Sequence, residues 1–304
     1  MIYDIAIIGA GPAGLSAAIY GRRAGLSTIC FESNVHGGQI INTPEVENYP
    51  ALGKVSGVEY ASNIYDQAVG FGAVVEYKAV TDVDFSGEIK KVICGDEEYR
   101  AKTVIIATGV TRRKLEIPGE DRLLGAGVSY CATCDGLFFK DKTAVVVGGG
   151  NTALEDAVYL AGICEKVYII HRRDTFRGDQ HEVEKVLKNE KIQVVYDTIP
   201  LSIEGSGKVE RLRVKNVKTG EEKDIFTSAV FVAVGLIPQN DMFKGKVELT
   251  SDGYIMADES CKTSVEGVFA AGDTRNKTLR QLVTATSDGA VAATAAAAYV
   301  RSKE

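Results

Sequence analysis

Cys131-Ala132-Thr133-Cys134-Asp135 sets two thiols two residues apart with an acid beside them. A ring closed over so few residues hardly constrains an unfolded chain, while neighbouring groups can depress one thiol until thiolate exists near neutrality. The pattern points to a disulfide that opens and closes, not to a staple. Half of a zinc site would also read CxxC, but zinc needs further ligands at short spacing. Cys30, Cys94, Cys164 and Cys261 stand singly, and His36, His171 and His181 form no C-x-x-H or H-x-x-x-H pattern, so no metal site is expected. Asp135 is the candidate acid, close enough to protonate a released thiolate; a helix cap or turn residue is its bland alternative.

The elements that must position these groups occur twice. The apolar run Ile5 to Ile8 feeds Gly9-Ala10-Gly11-Pro12-Ala13-Gly14, and helical character follows from Leu15 to Ala24. Glycines in a GxGxxG turn let backbone N–H groups and a helix N-terminus approach a pyrophosphate. A second apolar run, Leu26 to Phe31, ends at Glu32, an acid placed to accept hydrogen bonds from the ribose hydroxyls of an adenine dinucleotide. The second copy runs from Ala144 through Gly148-Gly149-Gly150-Asn151-Thr152-Ala153 to a helix over Leu154 to Ala161 and a strand from Val167 to Ile170. Aligned without a gap on the first glycine, Gly9 falls on Gly148 and Glu32 on His171. The register is kept but the charge is inverted: His171, Arg172, Arg173 and Arg177 stand where the first copy has a carboxylate. Guanidinium groups there suit a 2′-phosphate, which a carboxylate would repel. The first copy is therefore expected to take FAD and the second NADPH, a solvated strand end being the plain alternative for the arginines.

Three further apolar runs end in small residues, as strands do when their ends lie against a nucleotide. They are Thr103 to Thr108-Gly109, Ala229 to Gly235, and Gly267 to Gly272-Asp273. Asp273 could bind ribityl hydroxyls, with a turn or helix cap as the alternative. The segment Gln281 to Val300 reads as a helix, most of it for core packing. With 304 residues, 25% charged and 45% hydrophobic, the chain can form two domains with sizeable cores. A net charge of -6 leaves no basic stripe for nucleic acid. Met1 to Ala10 lacks a basic n-region, and the Ala-rich stretch from Ala290 to Val300 is too short to span a bilayer. Six cysteines, only two of them closely spaced, and no export signal suggest a reducing cytoplasm, where a CxxC would be catalytic.

From Tyr3 to Tyr299 these motifs, in this order, resemble the low-molecular-weight thioredoxin reductases. The residues that carry the likeness are the loop 9 to 14, Gly37-Gly38-Gln39, Glu45 to Pro50, Cys131 to Gly136, Gly149 to Ala153, His171-Arg172-Arg173 with Arg177, Gly272-Asp273, and Leu279-Arg280-Gln281. The resemblance implies an α/β protein of two Rossmann-like domains, with an NADPH domain (114–240) inserted into a discontinuous FAD domain (1–113 and 241–304), and a homodimer. It also implies that Gly38, Gln39, Asn48, Asp273, Arg280 and Gln281 lie along the flavin, that Cys134 faces the flavin, and that Cys131 meets the partner, thioredoxin or a related small disulfide protein. Which thiol attacks stays open from sequence. Ala51 stands where many relatives have glycine, and Gln239 separates Pro238 from Asn240 where Pro-Asn is commoner. Ferredoxin-NADP reductases of similar fold lack the CxxC, and a ferredoxin-driven reductase would not be expected to keep the arginines. Because disulfide and NADPH loop lie close in sequence yet must reach one flavin in turn, hinges are expected near Val110 to Lys114 and Gln239 to Lys244.

Overall fold

The computed structural model describes residues 1–43 and 45–303. The chain forms two compact units: Met1–Thr111 with the segment from Ile237 onward, and Arg112–Leu236.

In the first unit the strand Ile2–Ile8 pairs in parallel with Thr28–Phe31 on one side and Glu97–Ile106 on the other. Val74–Glu76 and Val268–Ala270 extend this parallel sheet, and Lys90–Cys94 with Asp82–Asp84 add an antiparallel edge. Successive side chains of a strand point to opposite faces. Ile5 and Ile7 thus pack with the helices on one face, while Ala6 and Ile8 meet Phe85 and Phe243 on the other. A strand buried on both faces has no polar side, which is why these segments read as unbroken apolar runs. The helices Pro12–Arg23 and Leu282–Ser302 pack on each other through small residues. A Cβ on Gly289 would lie 2.1 Å from the Ala13 carbonyl oxygen, so the two backbones touch there. The Ala-rich stretch is that seam.

In the second unit a parallel sheet runs in the order Ile192–Val195, Lys166–Ile170, Thr143–Gly148, Ala229–Ala233, Val128–Ser129. The helix Asn151–Ala161 follows its glycine turn, and an antiparallel meander of Thr198–Glu204, Arg211–Asn216 and Glu222–Phe226 completes the unit.

Both dinucleotide-type helices begin three residues before the expected Leu15 and Leu154, at Pro12 and Asn151. The last glycine of the first loop is therefore helical, and a Cβ on Gly14 would lie 1.8 Å from the Gly9 carbonyl oxygen. Gly14→Ala is expected to destabilise the fold by about 1–3 kcal/mol, as overpacking against backbone does. Thermal melting will check this; an unchanged melting temperature would contradict it.

The chain passes between units at Thr111/Arg112 and Leu236/Ile237. The first crossing falls within the expected segment. The second does not: Gln239 to Lys244 belongs to the first unit, where Phe243 sits in the core and Asn240 is buried. Asn240 Nδ2 donates to the carbonyls of Gly253 and Thr274, both at 2.9 Å, so this polar-looking segment is fixed by buried hydrogen bonds and one aromatic anchor. Ala51, at the site of a commoner glycine, has φ 65°, a left-handed conformation that costs an L-residue about 1–2 kcal/mol. Ala51→Gly should relieve that strain, less the added freedom of the unfolded chain, for a net gain of roughly 0.5–1 kcal/mol in denaturant unfolding. A loss of stability would show the strain to be compensated locally.

Candidate active site

The glycine loop of the first unit lies between the ends of Ile2–Ile8 and Thr28–Phe31. Gly9 needs its φ of 109° and lies so close to the next strand that a Cβ would sit 2.4 Å from the Ala107 carbonyl. Gly11 caps the helix, Pro12 occupies its first turn, and neither a side-chain cap nor an acid satisfies the N-terminal N–H groups. Such an end favours an anion. The Ala10 N–H donates to Glu32 Oε2 at 3.0 Å, bringing the expected ribose carboxylate to the loop. Gly37 donates its N–H to the Ala10 carbonyl at 2.8 Å, and a Cβ on Gly38 would come within 3.3 Å of Gly11 Cα. The two glycine turns are thus laid against each other, with exposed Gln39 following in the short helix Gly38–Asn42.

Other expected residues gather in the same unit. Asn48 Nδ2 donates to Gln281 Oε1 at 3.2 Å, and Gln281 caps the C-terminal helix in a capping box with Thr284. Thr108 Oγ1 bonds Thr274 Oγ1 at 2.9 Å and Asn240 Oδ1 at 3.2 Å, just before Gly109 turns at φ 65°. Gly272, at φ 80°, packs on Ala13 of the glycine loop. Two buried polar atoms here have no hydrogen-bond partner among the described residues: Asp273 Oδ1 and Arg280 Nε. Burial pushes the Asp273 carboxyl up, and the Arg280 guanidinium lies over the Tyr254 ring at 4.3 Å. Asp288, absent from the sequence expectations, holds this corner: it accepts from the Gly272 N–H at 3.0 Å and from Arg275 and Lys277 at 2.9 and 2.8 Å. A lone acid in an Ala-rich helix was its one signal.

In the second unit the expected arginines and His171 separate in kind. His171 is 6% exposed, its ring fills the space above Gly149, and Nε2 faces the Thr175 carbonyl at 2.9 Å. Burial holds its pKa below the usual histidine value, so it supports the loop as a neutral ring and is not a member of the cation cluster. Arg172, Arg173 and Arg177 are exposed, and among the described residues their side chains make no hydrogen bond or ion pair. Their loop is tied to the glycine turn: Arg177 N–H donates to the Gly149 carbonyl at 2.8 Å, Asn151 Nδ2 donates to Asp179 Oδ2 at 2.9 Å, and the Asp179 N–H returns a bond to Asn151 Oδ1 at 2.6 Å. Gly150 caps the helix Asn151–Ala161, whose first turn, with exposed Thr152, again holds no acid. Gly235, at φ 114°, ends the strand Ala229–Ala233 in the same unit.

Cys131 and Cys134 form a disulfide, both half-buried, at the start of the one-turn helix Ala132–Asp135. In this state both sulfurs are engaged with each other. The other four cysteines are buried, and burial pushes the Cys261 thiol up to about 12. Asp135 Oδ2 accepts from Ser129 Oγ at 2.6 Å, and Oδ1 is buried with no partner among the described residues. Burial lowers the pKa of Arg112, which lies 5.4 Å from the Tyr130 ring centroid, and the Asp135 carboxylate offsets part of that effect. Directly after the disulfide, Leu137 and Phe138 are exposed, an apolar pair that sequence patterning did not single out because it follows a run of small residues.

A family model described as pyridine nucleotide-disulphide oxidoreductase matches residues 3–289. A thioredoxin reductase of Peptoclostridium acidaminophilum is 49% identical, the match covering 98% of this chain and 97% of that one. One from Treponema pallidum is 47% identical over the same shares. The crystal structure of thioredoxin reductase from Streptococcus pyogenes superposes with a TM-score of 0.93 at 41% identity, covering 99% of both chains. No helix of the described residues is long and apolar enough to cross a membrane.

Proposed function

This chain belongs to the pyridine nucleotide-disulphide oxidoreductases, among their thioredoxin reductases, and from that premise we propose that it passes electrons from NADPH through FAD and the Cys131–Cys134 pair to thioredoxin disulfide. The observation that carries this reading is the Cys131–Cys134 disulfide in the same unit as a glycine loop flanked by three arginines whose side chains are unpaired among the described residues. FAD fits the first unit: its pyrophosphate suits the uncapped helix after Gly11, its ribose suits Glu32, and its ribityl and ring oxygens and nitrogens could satisfy the orphaned Asp273 Oδ1 and Arg280 Nε. NADPH fits the second unit, its 2′-phosphate on Arg172, Arg173 and Arg177 and its pyrophosphate on Gly149, Gly150, Asn151 and Thr152. The flavin supplies the coupling of a two-electron hydride donor to thiol chemistry.

The protein's own residues do the rest. A thiolate of the reduced pair attacks a sulfur of the partner's disulfide, a mixed disulfide forms, and the second thiol resolves it. Asp135 supplies and recovers the proton, since thiolate leaving groups and thiol nucleophiles need opposite protonation states. Exposed Leu137 and Phe138 beside the disulfide give an apolar contact suited to a protein partner rather than a small solute. A homodimer and a cytoplasmic setting are part of the same reading.

The same reading includes alternation between units. Disulfide and arginine-flanked loop belong to one unit and the first glycine loop to the other, which supports each being presented to the flavin in turn. An engineered cystine locking the units is expected to stop repeated turnover while sparing one half-reaction; full steady-state activity in a verified locked protein would exclude alternation.

The function itself is tested by anaerobic addition of NADPH to the purified flavoprotein, followed by alkylation and mass spectrometry. NADPH should expose thiols at Cys131 and Cys134 and leave the four buried cysteines unlabelled. Bleaching of flavin without labelling at that pair would refute the electron path.

A further inference from the structure

Ser129 sits at the end of the edge strand Val128–Ser129, paired with Phe231 of the neighbouring strand Ala229–Ala233, and is 4% exposed. A buried hydroxyl must find partners, and this one finds both ends of the redox loop. Its oxygen accepts from the Cys131 N–H at 3.0 Å. Its proton has two acceptors in reach, Asp135 Oδ2 at 2.6 Å and the Cys131 carbonyl at 3.3 Å, and the shorter, charge-assisted bond prevails. The carboxyl is therefore gripped by one oxygen from a buried strand position, while Oδ1 stays buried and without a partner among the described residues.

We propose that Ser129 is a positioning residue for thiol–disulfide exchange, holding Asp135 by Oδ2 so that Oδ1 is the oxygen that carries the proton to and from sulfur. This rests on the reading of Asp135 as the acid. A donor on Oδ2 occupies its lone pair and lowers its basicity, leaving Oδ1 as the more basic oxygen. In the exchange, one cysteine thiol first gives its proton to Oδ1 of the Asp135 carboxylate; the resulting thiolate forms a bond to a partner sulfur as the partner's S–S bond breaks, and the leaving thiolate takes the Oδ1 proton. The second cysteine thiol then gives its proton back to Oδ1 and attacks the mixed disulfide. Cys131–Cys134 is re-formed as the last partner thiolate takes that proton. The two electrons and two protons lost by the enzyme dithiol are those gained by the partner, and Asp135 ends as it began.

The test compares holoenzymes carrying Ser129→Ala, Ser129→Thr, Asp135→Asn and Ser129→Ala with Asp135→Asn in NADPH-driven reduction of thioredoxin disulfide, with flavin content and melting temperature measured on each. Ser129→Ala should lower kcat about tenfold without raising KM for thioredoxin, the loss of one charge-assisted hydrogen bond. Ser129→Thr, which keeps the hydroxyl, should recover most of that loss. Asp135→Asn should cost about a hundredfold or more, and adding Ser129→Ala to it should cost nothing further, because the serine would have no acid to orient. Should Ser129→Ala fold poorly, Ser129→Gly carries the same comparison. The proposal is overturned if Ser129→Ala slows the Asp135→Asn enzyme by the same factor as the unaltered one, since the serine would then act only through the Cys131 backbone. Wild-type kcat in Asp135→Asn would instead remove Asp135 as the acid and the role of Ser129 with it. A wild-type enzyme unable to reduce thioredoxin disulfide with NADPH would defeat the functional reading and the proposal together.

Discussion

Cys131→Ser and Cys134→Ser enzymes will reduce protein disulfide only at background rate, yet each will bind FAD and be bleached by NADPH. On the proposed path the thiols act after the flavin, and they belong to neither glycine loop, so their loss should break the path at its last step and leave the earlier one intact. A serine hydroxyl has the right size but is not ionised near neutrality and forms no disulfide, so no partial route remains. Replacing Cys30, Cys94, Cys164 or Cys261 with alanine should leave turnover near that of the unaltered enzyme, because all four are buried and act as small hydrophobes. Steady-state thioredoxin reduction beside anaerobic flavin bleaching measures both halves. Near-native reduction by either serine variant would mean that another pair of thiols carries the electrons.

The preference for NADPH over NADH will be large, and Arg172→Ala will erase about a tenfold share of it. Charge-assisted hydrogen bonds are worth roughly 1.5–3 kcal/mol, but the arginines are exposed, and screening by water and salt brings the expected loss to the lower end of that range. NADH has no 2′-phosphate and should scarcely respond. The check is kcat/KM for both cofactors in the unaltered enzyme and in Arg172→Ala, at two ionic strengths. Equal use of the two cofactors by the unaltered enzyme would discard the 2′-phosphate site. A loss shared equally by NADH would assign Arg172 to the loop's structure instead.

Much of the fold could be read from the chain because two physical constraints write themselves plainly. Parallel strands buried on both faces must be continuous apolar runs, as Ile5–Ile8 and Ala144–Val147 are, and a tight turn such as Gly9 or a helix residue pressed on backbone such as Gly14 admits only glycine. The less legible features depend on partners distant in sequence. His171 lies in register with Glu32, yet it is buried because Gly149 leaves room for its ring. Gln239 to Lys244 has the composition of a hinge, but Phe243 and the bonds of Asn240 to Gly253 and Thr274 fix it in the first unit. Asp288 and Ser129 are ordinary polar residues in sequence, and only the hydrogen bonds they make to Gly272 and Asp135 give them a role. Ala51 shows the reverse case: its departure from glycine was visible, but its physical meaning came with its positive φ.

The central claim is that electrons enter as hydride from NADPH and leave through Cys131–Cys134 to a protein disulfide. The most direct measurement follows NADPH consumption and thioredoxin thiol formation together, under anaerobic conditions, with the purified flavoprotein and with reduced ferredoxin as the competing donor. The predicted result is one-for-one loss of NADPH and of thioredoxin disulfide, no turnover with ferredoxin alone, and none in Cys134→Ser. Thioredoxin reduction driven by ferredoxin while NADPH stays unconsumed would contradict it.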